Sequence, residues 1–158
     1  MRSLALEIVF GALVSSRALP FIRIIVSGVF LLSSLPKLNH PVLFLGDVYQ
    51  YMLIGPDAAT FVAILLPQVE YVLALALLAG VWLRGAFLLG ITLFGTFSVA
   101  QASALLRGLE ISCGCFGSIR TDLISYTSLF RTLLLMILCA VAVWLLAVEG
   151  RKTNVLTK

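Results

Sequence analysis

Four long apolar stretches determine what this chain can fold into. A membrane-spanning helix needs about 20 mainly apolar residues, and four stretches of the 158-residue sequence meet that requirement. The composition agrees, because 11% of the residues are charged, whereas a typical soluble domain has about 25%. We therefore predict an all-α integral membrane protein, a four-transmembrane-helix antiparallel bundle in the lipid bilayer. The predicted spans are residues 20–38, 58–83, 86–106 and 129–148.

The segments that flank these spans divide the chain into three parts. Residues 1–19 contain an apolar run that Glu7 interrupts and Arg17 follows. We expect an amphipathic cytoplasmic helix at the membrane interface there, and a cleaved signal peptide is the alternative. Residues 20–148 form the predicted membrane domain, and residues 149–158 form a basic cytoplasmic tail.

The distribution of Lys and Arg predicts the orientation of the bundle. Cytoplasmic loops carry an excess of basic residues, and the side that holds both termini has seven of the eleven Lys and Arg residues. We therefore predict a bacterial plasma-membrane protein with cytoplasmic termini and the loop between spans three and four outside. The small net charge of +4 accompanies no nucleic-acid-binding motif, so nucleic acid is not a predicted partner. The seven are Arg2, Arg17, Arg23, Arg84, Arg151, Lys152 and Lys158, and the other four are Lys37, Arg107, Arg120 and Arg131.

The connection between spans one and two, residues 39–57, lies on the same outer side. Apolar and aromatic residues recur in it at helical spacing, which predicts a short helix on the outer membrane surface. These residues are Phe44, Val48, Tyr51 and Met52.

Two cysteines in the outer loop, Cys113 and Cys115, are the candidate catalytic residues. Thiols on the oxidising side of a membrane readily pair, and Gly114 supplies the backbone freedom that so small a ring requires. Such a ring departs from relaxed disulfide geometry, and strained, exposed disulfides are the labile or catalytic ones. Arg107 and Arg120 flank the motif, and nearby cations favour the nucleophilic thiolate.

Other interpretations of the cysteine pair stay open at this point. The pair could be a static staple of the loop or two inert thiols, or it could bind Cu(I) or Zn(II) together with His40. We predict no metal site, because the sequence offers no fourth ligand. Cys139 lies inside span four, where we expect a small buried apolar residue.

Glu70 falls near the middle of span two, where a carboxylate is costly and usually faces the bundle interior. Pro67, three residues earlier, removes one backbone hydrogen bond of the helix. We predict an ion pair of Glu70 with Lys37 or with Arg131. Such a pair would fix the helix register, or it would form a proton-handling or quinone-contacting site with Pro67 and Glu70 as candidate cofactor-binding residues.

The most specific motif is "RGLEISCGCFG" at residues 107–117, and "LLPQVEYVLALALLAGVWLR" at residues 65–84 accompanies it. With these motifs, residues 21–147 resemble the MauE family of methylamine-utilisation proteins, within the wider DoxX-like membrane proteins. Ser112 departs from the family, which often has an acidic residue before the first cysteine. Other residues that carry the resemblance are Gly28, Phe30, Lys37, Phe44, Tyr51 and Arg131.

The resemblance implies an inner-membrane protein linked to maturation of methylamine dehydrogenase, a periplasmic enzyme rich in disulfides. It also implies a thioredoxin-like partner, an extracytoplasmic client and thiol–disulfide exchange, with a quinone as the candidate second electron carrier. We therefore expect a thiol–disulfide redox component with Cys113 and Cys115 as its reacting residues. The alternative is a non-enzymatic membrane anchor or assembly factor whose Cys-Gly-Cys loop is structural. The predicted supporting charges are Lys37, Glu70, Arg107 and Arg131.

Overall fold

Five α-helices make up the part of the chain that the structure, a computed structural model, describes: residues 2–109, 111 and 125–156. Side chains are described for residues 18–109, 111 and 125–149. Four of the helices contain a segment long and apolar enough to cross a membrane. The predicted all-α fold with four spans is therefore confirmed, and the described residues include no strand. The helices are α1 (Arg2–Asn39), α2 (Pro41–Gln50), α3 (Pro56–Ala79), α4 (Leu83–Leu106) and α5 (Tyr126–Leu156).

The helix ends follow local sequence signals. Pro41 and Pro56 stand in the first turns of α2 and α3, where the missing N–H of proline costs no helical hydrogen bond. Helix α3 ends at Ala79, earlier than predicted, because Gly80 adopts the left-handed conformation with φ of 77°. Helix α2 is the short helix expected within residues 39–57, and its position against a membrane surface stays a prediction.

Helix α1 joins two segments that the sequence analysis separated. It runs from Arg2 to Asn39 and continues through Pro20, so the predicted division after residue 19 is not a helix end. The membrane-spanning part begins at Ala18. An interfacial position for the residues before it stays a prediction.

The bundle core lies between two closely packed helix pairs, α1 with α3 and α4 with α5. Phe30 and Phe94 stack between the pairs with ring centroids 4.7 Å apart. Cys139 is fully buried in this core, and its sulfur would lie 3.3 Å from a Cβ at Gly90. Cys139 is thus the small buried apolar residue that the sequence predicted. Only 28–33% of each spanning window is buried, so most of the apolar surface is left for lipid.

Two arginines tie helices together at the end of the bundle that holds the α3–α4 connection, which we call the turn end. Arg23 donates from Nε to the carbonyl of Leu77 (3.0 Å) and from Nη2 to that of Leu78 (3.1 Å). Arg84 donates to the carbonyl of Leu146 (2.8 Å). Arg23 thus places a cation at the C-terminus of α3, where it opposes the negative end of the helix dipole, whereas Leu146 lies inside α5 and Arg84 links α4 to that helix.

Replacing Gly80 by alanine is expected to destabilise the turn end. The left-handed conformation costs an L-residue about 1–2 kcal/mol, and a Cβ would lie 2.7 Å from Nη2 of Arg23. Gly28→Ala is the matched control, because a Cβ at Gly28 meets nothing within 4 Å and alanine favours a helix. Unfolding titrations in detergent micelles measure both changes, and equal stabilities of the two variants would contradict the prediction.

Candidate functional site

A buried ion pair joins α1 to α3. Lys37 comes from the last turn of α1 and Glu70 from the interior of α3, and their side chains are 1% and 0% exposed. Nζ of Lys37 donates to Oε1 (2.9 Å) and Oε2 (3.1 Å) of Glu70. Of the two partners predicted for Glu70, the structure has Lys37. Arg131 lies at the start of α5 and borders a small cavity of about 20 Å³.

Three further side chains complete the surroundings of the pair. Ser33 donates from Oγ to Oε2 of Glu70 (3.1 Å) and accepts a hydrogen bond from Nζ of Lys37 (3.0 Å). The Lys37 ammonium lies 4.9 Å from the ring centroid of Phe44 and 5.3 Å from that of Phe97, distances at which cation–π attraction operates. Hydrogen bonds and aromatic faces thus replace the water that both charges lose on burial.

Ser33 is not among the site residues that the sequence predicted. The signal was present, since Ser33 precedes Lys37 by four residues and residues at this spacing lie on the same face of a helix. A hydroxyl one turn before a buried lysine is a natural third member of an ion pair inside a span. The contribution of Phe97, which comes from α4, had no comparable local signal.

A cavity of about 270 Å³ lies next to the ion pair and is bounded by α1, α2, α3 and α4. We call it the outer crevice, after the side of the membrane on which it is predicted to lie. Lys37, Asp47 and Gln101 line it and are buried. The amide nitrogen of Gln101 donates to Oγ1 of Thr132 (3.2 Å), a polar link between α4 and α5. Apolar and aromatic side chains form most of the remaining wall, among them Phe44, Leu66 and Phe97.

Pro67 and Glu70, the predicted cofactor-binding residues, do not border the outer crevice. Pro67 is fully buried within α3. Both oxygens of Glu70 accept hydrogen bonds from Lys37, and one also accepts from Ser33. A ligand in the outer crevice would therefore meet Lys37 and Gln101 rather than the two residues that the sequence singled out.

Cys113, Cys115 and Arg120 lie outside the described residues. The segment that contains them connects the end of α4 to the start of α5, at the end of the bundle opposite the turn end, which we call the loop end. Arg107, at the C-cap of α4, donates to the carbonyl of Tyr51 (2.8 Å). The structure thus gives Arg107 a role in fixing the beginning of the loop against the α2–α3 connection. Its predicted effect on a thiol stays a prediction.

His40 occupies the N-cap position of α2 without a side-chain capping hydrogen bond, next to the end of α1. Within residues 18–109, 111 and 125–149, no group of three His, Cys, Asp or Glu side chains is close enough to hold a metal ion. The possible set of His40 with Cys113 and Cys115 falls partly outside this range.

Residues 5–145 match the family model of the methylamine utilisation protein MauE. The chain belongs to the MauE family. No solved structure matches it.

One curated relative of this MauE-family chain is a methylamine utilization protein MauE from Paracoccus denitrificans. The two are 31% identical over 115 residues, which cover 72% of this chain and 62% of the relative. The chain thus corresponds to less than two thirds of the length of that relative. The wider DoxX-like relationship stays a prediction.

Removing either member of the ion pair is expected to destabilise the bundle strongly. Glu70→Gln leaves the Lys37 ammonium without its carboxylate, and Lys37→Met leaves Glu70 without its cation. Breaking a buried pair in this way costs about 3–5 kcal/mol. The double variant Lys37→Met/Glu70→Gln should recover most of that loss, because no unpaired charge remains. Unfolding titrations in detergent provide the double-mutant cycle.

The control for this cycle is Asp57→Asn, at the exposed start of α3. This change removes a carboxylate from a helix N-terminus and should lower the free energy of unfolding by less than about 1 kcal/mol. A Glu70→Gln variant that is no less stable than Asp57→Asn, or additive costs in the double variant, would contradict a stabilising role for the pair.

Proposed function

We propose that this MauE-family protein is a membrane thiol–disulfide redox protein whose Cys113 and Cys115 exchange electrons with a thioredoxin-like partner. The exchange serves maturation of a disulfide-containing extracytoplasmic client, in methylamine utilisation or a related pathway. The observation that carries the proposal is a Cys-Gly-Cys sequence in the connection between two membrane-spanning helices of a MauE-family chain.

Exchange between two thiol–disulfide pairs proceeds through a mixed disulfide. A thiolate of one protein attacks a disulfide sulfur of the other, and one new S–S bond forms as one breaks. The second cysteine then attacks the mixed disulfide and releases the partner. A Cys-Gly-Cys pair suits this chemistry, because the small ring of its disulfide departs from relaxed geometry and opens readily.

Hydrogen bonds fix the described residues on either side of the cysteine-containing segment. Arg107 bonds the C-cap of α4 to the carbonyl of Tyr51, and Ser125 and Ser128 exchange hydrogen bonds at the start of α5 (3.1 and 2.7 Å). Both ends of the cysteine-containing segment are thereby held in defined positions. A segment whose two ends are fixed has less conformational freedom to lose when a partner docks.

Single and double Cys→Ser variants test the redox function. The single Cys→Ser variant that keeps the attacking cysteine should accumulate a mixed disulfide with a co-expressed thioredoxin-like protein that lacks its own resolving cysteine, because neither protein then has a thiol to open the bond. The double variant should form none and should shift the redox state of that partner in cells. Acid trapping followed by alkylation of free thiols and non-reducing electrophoresis measures both.

Cys139→Ala is the matched control, since Cys139 is buried in the bundle core and should not take part. If the partner keeps its redox state in cells that carry the double variant, the alternative of a membrane anchor or assembly factor is favoured instead.

The proposed orientation places the loop end outside the cytoplasm. Arg23 and Arg84 at the turn end accord with the excess of basic residues expected on the cytoplasmic side. In a Cys139→Ala background, a membrane-impermeant maleimide should label Cys113 and Cys115 in intact reduced cells. Labelling that requires membrane rupture would reverse the orientation, and a cysteine introduced at Arg151 gives the opposite control.

A further inference from the structure

The outer crevice has the size of a small ligand. Its volume is about 270 Å³, whereas an engineered cavity of about 150 Å³ is enough to bind benzene. The outer crevice therefore has room for a substituted ring and the first atoms of a chain. Phe44, Tyr51 and Phe97 contribute aromatic side chains to its wall.

Exposed residues at its border indicate how a ligand would enter. Leu53 and Ile54, between α2 and α3, line the crevice and are 49% and 44% exposed. Thr96 also lines it and is exposed on α4, well inside a membrane-spanning segment. The opening thus extends from the loop end of the bundle into the part that lipid surrounds, so a ligand that enters here must be lipid-soluble.

The charges in the wall favour a neutral ligand. Lys37 and Asp47 contribute one charge of each sign to the lining, so the lining itself has no net charge, and Glu70 holds the Lys37 ammonium without being part of the lining. A net charge brought into such an apolar site would lose its hydration without a matching counter-charge. Gln101, Tyr51 and Thr96 line the same site, so polar groups of an uncharged ring find hydrogen-bonding side chains around it.

We propose that the outer crevice binds the ring of a lipid-soluble quinone. This inference rests on the proposed function, which needs a second electron carrier. Closing a disulfide between Cys113 and Cys115 breaks two S–H bonds, forms one S–S bond and releases two electrons and two protons. The quinone takes up both electrons and both protons and becomes a quinol. The residues proposed to contact the quinone are Lys37, Gln101 and the aromatic wall. They replace Pro67 and Glu70, which are buried in the bundle.

A quinone-binding assay with crevice-filling variants tests this site. The probe is a benzoquinone with one prenyl unit, and its dissociation constant is measured by equilibrium dialysis against the purified full chain in detergent. Ala100→Phe fills the crevice that Ala100 lines and should weaken binding by at least about tenfold. The matched control is Val99→Phe, the neighbouring residue on α4, which is 70% exposed and outside the crevice. It should change the affinity by less than about twofold.

Val62→Phe fills the same crevice from α3 and provides a second variant if Ala100→Phe lowers thermal stability. Binding that does not saturate in the wild-type protein, or equal binding by both crevice variants, would overturn the proposal. Equal affinity for prenol, which has the prenyl unit but no ring, would overturn it as well, because the crevice would then accept only a chain.

The double Cys113→Ser/Cys115→Ser variant separates this inference from the proposed function. It should bind the benzoquinone with unchanged affinity, because the proposed recognition groups are Lys37, Gln101 and the aromatic wall. A wild-type protein that binds the quinone but shows no thiol exchange would contradict the redox function alone. Intact thiol exchange in a wild-type protein that binds no quinone would remove the quinone site alone.

Discussion

The buried pair of Lys37 and Glu70 is the interaction on which the arrangement of this bundle depends. Both charges are almost completely removed from solvent, inside segments that are apolar enough to span a membrane. A single charge there would be very costly, so α1 and α3 can hold these residues only in a register that brings them together. Ser33, Phe44 and Phe97 extend the constraint, because the first lies on α1 itself and the other two belong to α2 and α4. One ion pair thereby relates four helices.

Weaker polar contacts fix the remaining freedom of the bundle. Arg23 holds the end of α3, about 10 Å along that helix from Glu70, so α1 and α3 are joined at two levels. Gln101 links α4 to α5 through Thr132. Apolar packing alone specifies helix position poorly in lipid, since the lipid tails are as apolar as the side chains. A few directional contacts at separate levels therefore carry much of the specificity, while small residues such as Gly90 permit close approach.

The sequence predicted the number of spans and the short α2 because both depend on local periodicity and length. It also narrowed the partner of Glu70 to Lys37 or Arg131, since few cations occur near the spans. The choice between them depends on how α3 is rotated relative to α1 and α5, which local patterns do not encode. The same reason explains why Phe97, Asp47 and Gln101 were missed as neighbours of Lys37. They come from other helices, and each alone is an ordinary residue of an apolar stretch or a loop.

The position of the ion pair also determines what the outer crevice can recognise. Without Glu70, the Lys37 ammonium would lose the carboxylate that bonds it and would attract an anion to the edge of the cavity more strongly. With Glu70 bonded through both oxygens, that ammonium is held by a carboxylate that is not part of the lining, and selection depends more on shape and hydrogen bonding. The carboxylate therefore acts on the site without lining it. Under the proposed redox function the cysteine pair needs a second electron carrier, and a crevice that opens toward lipid is a site that a lipid-soluble carrier can enter.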